Sequence, residues 1–167
     1  ARRLIQERVA SGTMKLFDEG NLNKYFESTF GGAGEPSVPK TLRAFWLLHN
    51  MAQSVNPHDE KQKKIQAALR DGEMYFINLM LNPKRDENLR AWAIQLLLET
   101  GSTLTTERHY PQMIESLPRL AGEESTPRTR LYLASALPRM PEDVRWQVAA
   151  ALLAHGEDAA DHNLPLV

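Results

Sequence analysis

An arginine followed by an apolar stretch with helical spacing occurs several times along this chain. The clearest copy is LRAWAIQLL around Arg90, and TLRAFWLL around Arg43 and TRLYLA around Arg130 resemble it. A looser copy, VRWQVA, surrounds Arg145. The first three arginines are 47 and 40 residues apart, and a period of about 40–47 residues is typical of helix-pair repeats that stack into solenoids. The motif therefore indicates architecture more strongly than chemistry.

Composition excludes several classes of function. The chain has 167 residues, enough for one domain with a sizeable core. Its formal net charge of −1 gives it no overall attraction for nucleic acid or an anionic membrane. It has no cysteine, which excludes disulfides, thiolate metal sites, covalent haem attachment and a cysteine nucleophile. Because no apolar run reaches the roughly 18–20 residues that span a bilayer, direct membrane insertion is not expected.

Glycines and prolines divide the sequence into predicted helices, and no stretch alternates in the manner of a strand. We therefore predict an all-α fold, an α-solenoid of HEAT-like (armadillo-type) antiparallel helix pairs. Residues 1–36 are predicted to form a helical linker or capping pair, with helices over 2–11 and 13–28 and a glycine-rich loop over 30–36. Residues 37–167 are predicted to form the repeat domain and to end in a connection to a following domain. Its helix pairs are predicted at about 39–81, 86–121 and 126–155.

The repeated positions have a structural and a functional interpretation. Large aromatic residues recur within the motif and are predicted to pack in the core: Trp46, Trp92, Tyr132 and Trp146. The arginines stand near helix starts, where a cation opposes the helix dipole and needs compensation. One interpretation is a ladder, in which each arginine binds a carboxylate or carbonyl of the adjacent repeat. The other is a row of cations that binds an anion.

A few further residues are candidates for chemistry. Two histidines and two aspartates near the C-terminus could bind a divalent metal or form a polar cap: His155, Asp158, Asp161 and His162. Trp46 with His49 could stack a ligand, although core packing is favoured, and core packing is also expected for Tyr75 and Phe76. The cluster Lys61, Lys63 and Lys64 could bind phosphate, although a solvated face is the usual meaning of such a run. No cofactor and no catalytic residue is predicted.

Several segments resemble the HEAT-repeat part of large exported "membrane-bound dehydrogenase" proteins of the planctomycete type. The resemblance is carried by residues 1–8, 90–97, 130–137, 145–146 and 155–166. In that family a propeller of the sugar-dehydrogenase kind precedes the helical repeats and a c-type cytochrome domain follows them. The resemblance implies a non-catalytic scaffold whose partners are these neighbouring domains or another protein, in the periplasm or otherwise exported.

Two other functions remain open on the sequence. Helical-repeat DNA glycosylases bind DNA through a cationic concave face, which would require the repeated arginines to line one open face. A peptide-binding solenoid would instead show an exposed apolar groove.

Overall fold

A computed structural model of the chain describes residues 7–8, 11, 37–54, 60–99 and 110–160. Within these ranges the regular secondary structure is helical and contains no strand, which confirms the predicted all-α class. Of the segment 1–36, Glu7 and Arg8 are helical and Ser11 lies in a turn, and the rest of the predicted linker lies outside the described residues. The chain divides into two compact units, Ala1–Phe76 and Ile77–Val167.

The described part of the first unit consists of α1 (Val38–Ser54) and most of α2 (Glu60–Met80). The start of α1 contains Pro39, whose ring fixes φ near the helical value. The N–H that proline lacks would have no partner in the first turn of a helix, so its absence costs nothing there. Phe45 of α1 and Phe76 of α2 are buried, and their ring centroids are 5.6 Å apart. α2 runs through Asp71 and Gly72 without interruption.

The second unit contains four further helices and two 3₁₀ turns in the described ranges. The helices are α3 (Glu87–Glu99), α4 (Tyr110–Glu123), α5 (Pro127–Ala136) and α6 (Glu142–Leu153). The 3₁₀ turns are Leu137–Arg139, directly after α5, and Gly156–Ala160, after α6. Pro127 stands at the start of α5 as the sequence predicts, with Thr126 as N-cap. Pro118 lies inside α4 without shortening it, since the helix continues to Glu123.

Within this unit, α3 packs against α5, α4 packs against α6, and α5 also contacts α6. The apolar stripe predicted on α3 is buried at four positions: Leu89, Ala93, Leu96 and Leu97. Ala91, Ile94 and Leu98 are buried as well, so α3 is apolar on more than one side. On α4 the buried positions Met113, Leu117 and Ala121 follow helical spacing and form a single stripe.

Two predictions of burial are wrong. Tyr75 is 69% exposed although the adjacent Phe76 is buried, because neighbouring residues on a helix point about 100° apart. Trp146, predicted as a core aromatic, is 66% exposed. On α6 the buried residues are Val144 and Val148, which lie on the other side of the helix from Trp146.

Candidate functional site

Arg90 occupies the fourth position of α3 and is 4% exposed. Its Nε and Nη2 donate to the two carboxylate oxygens of Glu124, at 3.0 and 2.9 Å. Nη2 also donates to the Thr126 hydroxyl at 3.1 Å, and Nη1 donates to the carbonyls of Pro83 (3.2 Å) and Arg85. A guanidinium has five N–H groups, and all five of them are used in this arrangement.

Glu124 lies in the connection between α4 and α5 and receives four hydrogen bonds on its carboxylate. Two come from Arg90, and two come from the backbone N–H and the hydroxyl of Thr126 at 2.9 and 2.8 Å. Burial alone would raise the pKa of Glu124, but the bonds from Arg90 and Thr126 and the charge of Arg90 outweigh it and lower the pKa. The carboxylate is therefore held in its charged form.

Arg130 repeats this arrangement one helix pair later. It is also the fourth residue of its helix, α5, and is 1% exposed. Its Nε donates to Asp158 at 2.5 Å and its Nη2 donates to the other oxygen of the same carboxylate. Its Nη1 donates to the backbone carbonyl of Glu124 at 2.9 Å. The hydrogen bond and charge of Asp158 raise the pKa of Arg130 further above its usual value despite burial.

Glu124 thus contacts two arginines: its carboxylate accepts hydrogen bonds from Arg90, and its backbone carbonyl accepts one from Arg130. We call the series Arg90, Glu124, Arg130 and Asp158 the arginine–carboxylate chain. It makes the bonds that the ladder interpretation predicts, and it supplies the compensation that a cation near a helix start requires. Because Arg90 and Arg130 are buried and hydrogen-bonded, they are not available as a row of cations for an external anion.

The other two repeated arginines differ. Arg145, the fourth residue of α6, donates through Nη2 to the carbonyls of Pro138 (3.3 Å) and Met140 (2.9 Å), at the same sequence offsets as the carbonyl partners of Arg90. Its buried Nε has no hydrogen-bond partner among the described residues. Arg43 is exposed on α1, so the ladder expectation is wrong at that position. Arg43 is the sixth residue of its helix, two positions later than the other repeated arginines in theirs.

Two of the four C-terminal metal candidates lie in the described part of the chain, and both are engaged in other bonds. The ring of His155 contacts the carbonyl oxygen of Ala121 through Nε2 (2.8 Å) and the Glu157 carboxylate through Nδ1 (3.0 Å). Both ring nitrogens are therefore engaged with acceptors inside the protein. Asp158 is bound to Arg130, while Asp161 and His162 lie outside the described residues. In the described ranges no three histidine, aspartate or glutamate side chains are grouped as metal ligands.

The aromatic candidates form local pairs. Trp92 and Tyr132, on α3 and α5, have ring centroids 6.2 Å apart in an edge arrangement, and both are half-buried. Trp46 meets the ring of His49 edge-on at 6.1 Å. Of the lysine cluster, Lys63 is exposed, and the side chains of Lys61 and Lys64 lie outside the described part.

A buried histidine–carboxylate pair was not predicted from the sequence. His49 Nδ1 lies 2.6 Å from Oε1 of Glu73, whose side chain is 0% exposed. The other oxygen of Glu73 has no hydrogen-bond partner in the described part of the chain. His49 and Glu73 occupy core-facing positions of α1 and α2, where apolar residues are usual. A histidine and a glutamate within otherwise apolar stripes were the sequence features from which the pair could have been predicted. Because both side chains are buried, a substrate cannot reach the pair.

An apolar groove with a volume of about 360 Å³ lies at the C-terminal end of α6. It is lined by Ala134 of α5, by Leu152 and Leu153 of α6, and by residues of the following turn: His155, Gly156, Asp158 and Ala159. Its polar side chains are already bonded, Asp158 to Arg130 and His155 to Ala121 and Glu157. The groove therefore offers mainly apolar surface.

No helix in the described ranges is both long and apolar enough to cross a membrane. Comparisons of the chain with protein-family models, with curated proteins and with solved structures find no match.

Proposed function

We propose that the chain is a HEAT-like helical-repeat scaffold that holds other protein modules and carries out no reaction itself. The observation that carries the proposal is the arginine–carboxylate chain, in which the buried fourth residue of α3 and that of α5 are each bonded to a carboxylate that lies just beyond the following helix. In the second unit, first helices pack on first helices and second helices on second helices. This packing supports the proposal, because helical-repeat proteins depend on nearest-neighbour stacking of this kind.

The proposed setting is an exported redox protein in which the scaffold separates a propeller-like dehydrogenase domain from a cytochrome-like domain. This setting rests on the sequence resemblance of residues 90–97, 130–137 and 155–166. In it the scaffold fixes the distance between the two modules, and the dehydrogenase chemistry belongs to the parent protein. The proposed location is the periplasm or another exported compartment.

The charged side chains favour a scaffold over a nucleic-acid enzyme. Duplex binding depends on cations that neutralise phosphates. Arg90 and Arg130 are buried and bonded to carboxylates, which leaves Arg43 as the exposed member of the repeated set. The arrangement therefore supports internal bracing.

The test uses the chain together with the modules encoded beside it. The parent reading frame is expected to encode a signal peptide upstream and a Cys-x-x-Cys-His motif downstream. The recombinant cytochrome module should bind the chain in calorimetry, and the chain alone should not reduce an electron-acceptor dye with sugar substrates. A reading frame that lacks both modules, or dye reduction by the chain itself, would overturn the proposal.

Peptide binding is the second candidate, and the apolar groove beside α6 favours it. An exposed apolar groove is the surface feature expected of a solenoid that receives a helical or extended segment.

A further inference from the structure

The outer face of α6 carries an exposed apolar stripe. Trp146 is 66% exposed, Leu153 is 86% exposed, and the exposed Ala150 lies between them. The spacing of i, i+4 and i+7 places all three on one side of the helix. Single exposed apolar residues are ordinary on a protein surface, whereas a contiguous stripe marks an interaction site.

The stripe continues into the apolar groove at the end of the same helix. Leu153 belongs to both, and the groove wall beyond it is formed by small residues, Ala134, Gly156 and Ala159. Small side chains leave room for a large apolar side chain from a partner. Because Asp158 and His155 are already bonded within the protein, the groove is suited to an aliphatic or aromatic group rather than to a polar small molecule.

The charges around the stripe are acidic. Glu142 and Asp143 are exposed at the N-terminal end of α6. Glu157 is exposed just beyond its C-terminal end, where its carboxylate also lies 3.0 Å from His155 and 3.5 Å from Arg130. Arg145, the basic residue of α6, is directed to the carbonyls of the turn before the helix. A partner with basic residues near its apolar positions would therefore complement this face.

These charges argue against a second copy of the chain as the occupant. A twofold contact through the stripe would be made of the same patch on both copies. If the two α6 helices were antiparallel, Glu142 and Asp143 of one would meet Glu157 of the other. If they were parallel, like acids would meet directly.

We propose that the α6 stripe and its groove bind an amphipathic helix of another protein segment, with an apolar stripe flanked by lysine or arginine. The apolar side chains pack on Trp146 and Leu153, one large side chain enters the groove, and the basic residues face Glu142 and Asp143. The contact length is set by the 12 residues of α6, about 18 Å or roughly three turns. The proposal deepens the scaffold function and rests on it.

The experiment measures binding of a fluorescent, designed helical peptide to the full chain by anisotropy. The peptide has leucines at i, i+3, i+4 and i+7 and lysines on both flanks, and a second peptide has glutamates in place of the lysines. The lysine peptide is expected to bind, and to bind more weakly as salt is added. The glutamate peptide is expected to bind at least about tenfold more weakly.

Variants locate the contact. Leu153→Ser and Trp146→Ser are each expected to weaken binding about tenfold or more, because they remove central apolar contacts. Both residues are exposed, so the fold should be retained. Glu142→Lys should weaken binding severalfold and reduce its salt dependence. The matched control is Tyr75→Ser, which removes an aromatic residue of similar exposure from the first unit and should leave binding unchanged.

Three outcomes would overturn the proposal: no binding of the lysine peptide, equal binding of both peptides, or equal loss in Tyr75→Ser and Leu153→Ser. Self-association of the chain that Leu153→Ser abolishes would also overturn it, in favour of a second copy. The peptide assay and the module-binding assay use different probes. Failure of this proposal is therefore seen separately from failure of the scaffold proposal.

Discussion

Replacing Glu124 by glutamine removes the carboxylate charge that is paired with the buried guanidinium of Arg90. The side chains of Glu124 and Arg90 are 3% and 5% exposed, so water cannot replace the lost charge. The amide group of glutamine also places N–H donors where one carboxylate oxygen accepted a bond from Arg90. Breaking a buried ion pair by removing one partner costs about 3–5 kcal/mol, and we expect Glu124→Gln to lose this much free energy of unfolding.

The matched control is Glu87→Gln at the exposed pair of Glu87 with Arg128. These side chains are 37% and 54% exposed and their charged atoms are 3.6 Å apart. Exposed pairs contribute about 0–1 kcal/mol, so the same chemical change should have little effect. Both variants would be compared with the wild-type chain by urea unfolding, followed by circular dichroism and tryptophan fluorescence.

A double variant keeps the prediction testable if Glu124→Gln fails to fold. Arg90→Met with Glu124→Leu removes both charges and fills the space with apolar atoms, a change that is often neutral or stabilising by about 1–4 kcal/mol. We expect the double variant to be more stable than Glu124→Gln. Losses below about 1 kcal/mol in both Glu124→Gln and Glu87→Gln would refute the conclusion that the Arg90–Glu124 pair braces the fold.

Three further outcomes are expected. The pKa of Glu124 in the folded chain is lowered from 4.5. Its contribution to the free energy of unfolding is therefore present above pH 4.5 and is lost as the pH falls through the folded pKa. The free energy of unfolding should depend less steeply on acid pH in Glu124→Gln than in the wild-type chain, and an identical pH dependence would contradict this. Leu117→Ala should lower the free energy of unfolding by about 2–5 kcal/mol, because Leu117 is fully buried. Leu153→Ala should change it by no more than about 0.5 kcal/mol, because Leu153 is exposed. Thermal melts of the two variants measure this difference. Glu73→Ala should destabilise the chain by about 1–3 kcal/mol, because it leaves His49 without its buried hydrogen-bond partner. His49→Phe with Glu73→Met should recover most of this loss in urea titrations, because both polar groups are then replaced by apolar ones.

The helices could be predicted from the sequence because their boundaries are local. Pro127, the Asn82–Pro83 stop and the apolar spacing of α3 act through neighbouring residues. For Arg90 the sequence predicted the type of partner, a carboxylate or a carbonyl, but not which residue provides it. Glu124 approaches Arg90 only through the folding of the chain. Glu124 stands two residues before Thr126, the N-cap of α5, and an acid shortly before a Thr-Pro helix start was the available signal.

The misplaced residues were those whose orientation depends on helix phase. Trp146 directly follows Arg145, whereas Trp92 stands two residues after Arg90. Because α6 is buried through Val144 and Val148, Trp146 falls on the outer side of the helix. Arg43 fails for a related reason, because its helix begins at Val38 and places it two positions further along than Arg90 or Arg130 in theirs. A loosely shared motif therefore does not determine which side of the helix each of its residues faces.

The double role of Glu124 has an evolutionary consequence. Its side-chain carboxylate pairs with Arg90, so this contact depends on the residue type at position 124. Its backbone carbonyl accepts a hydrogen bond from Arg130, and any residue at position 124 would provide that carbonyl. Among descendants of this sequence, replacements at 90 and 124 should therefore arise together, as should those at 130 and 158, whereas position 43 should drift independently of all four.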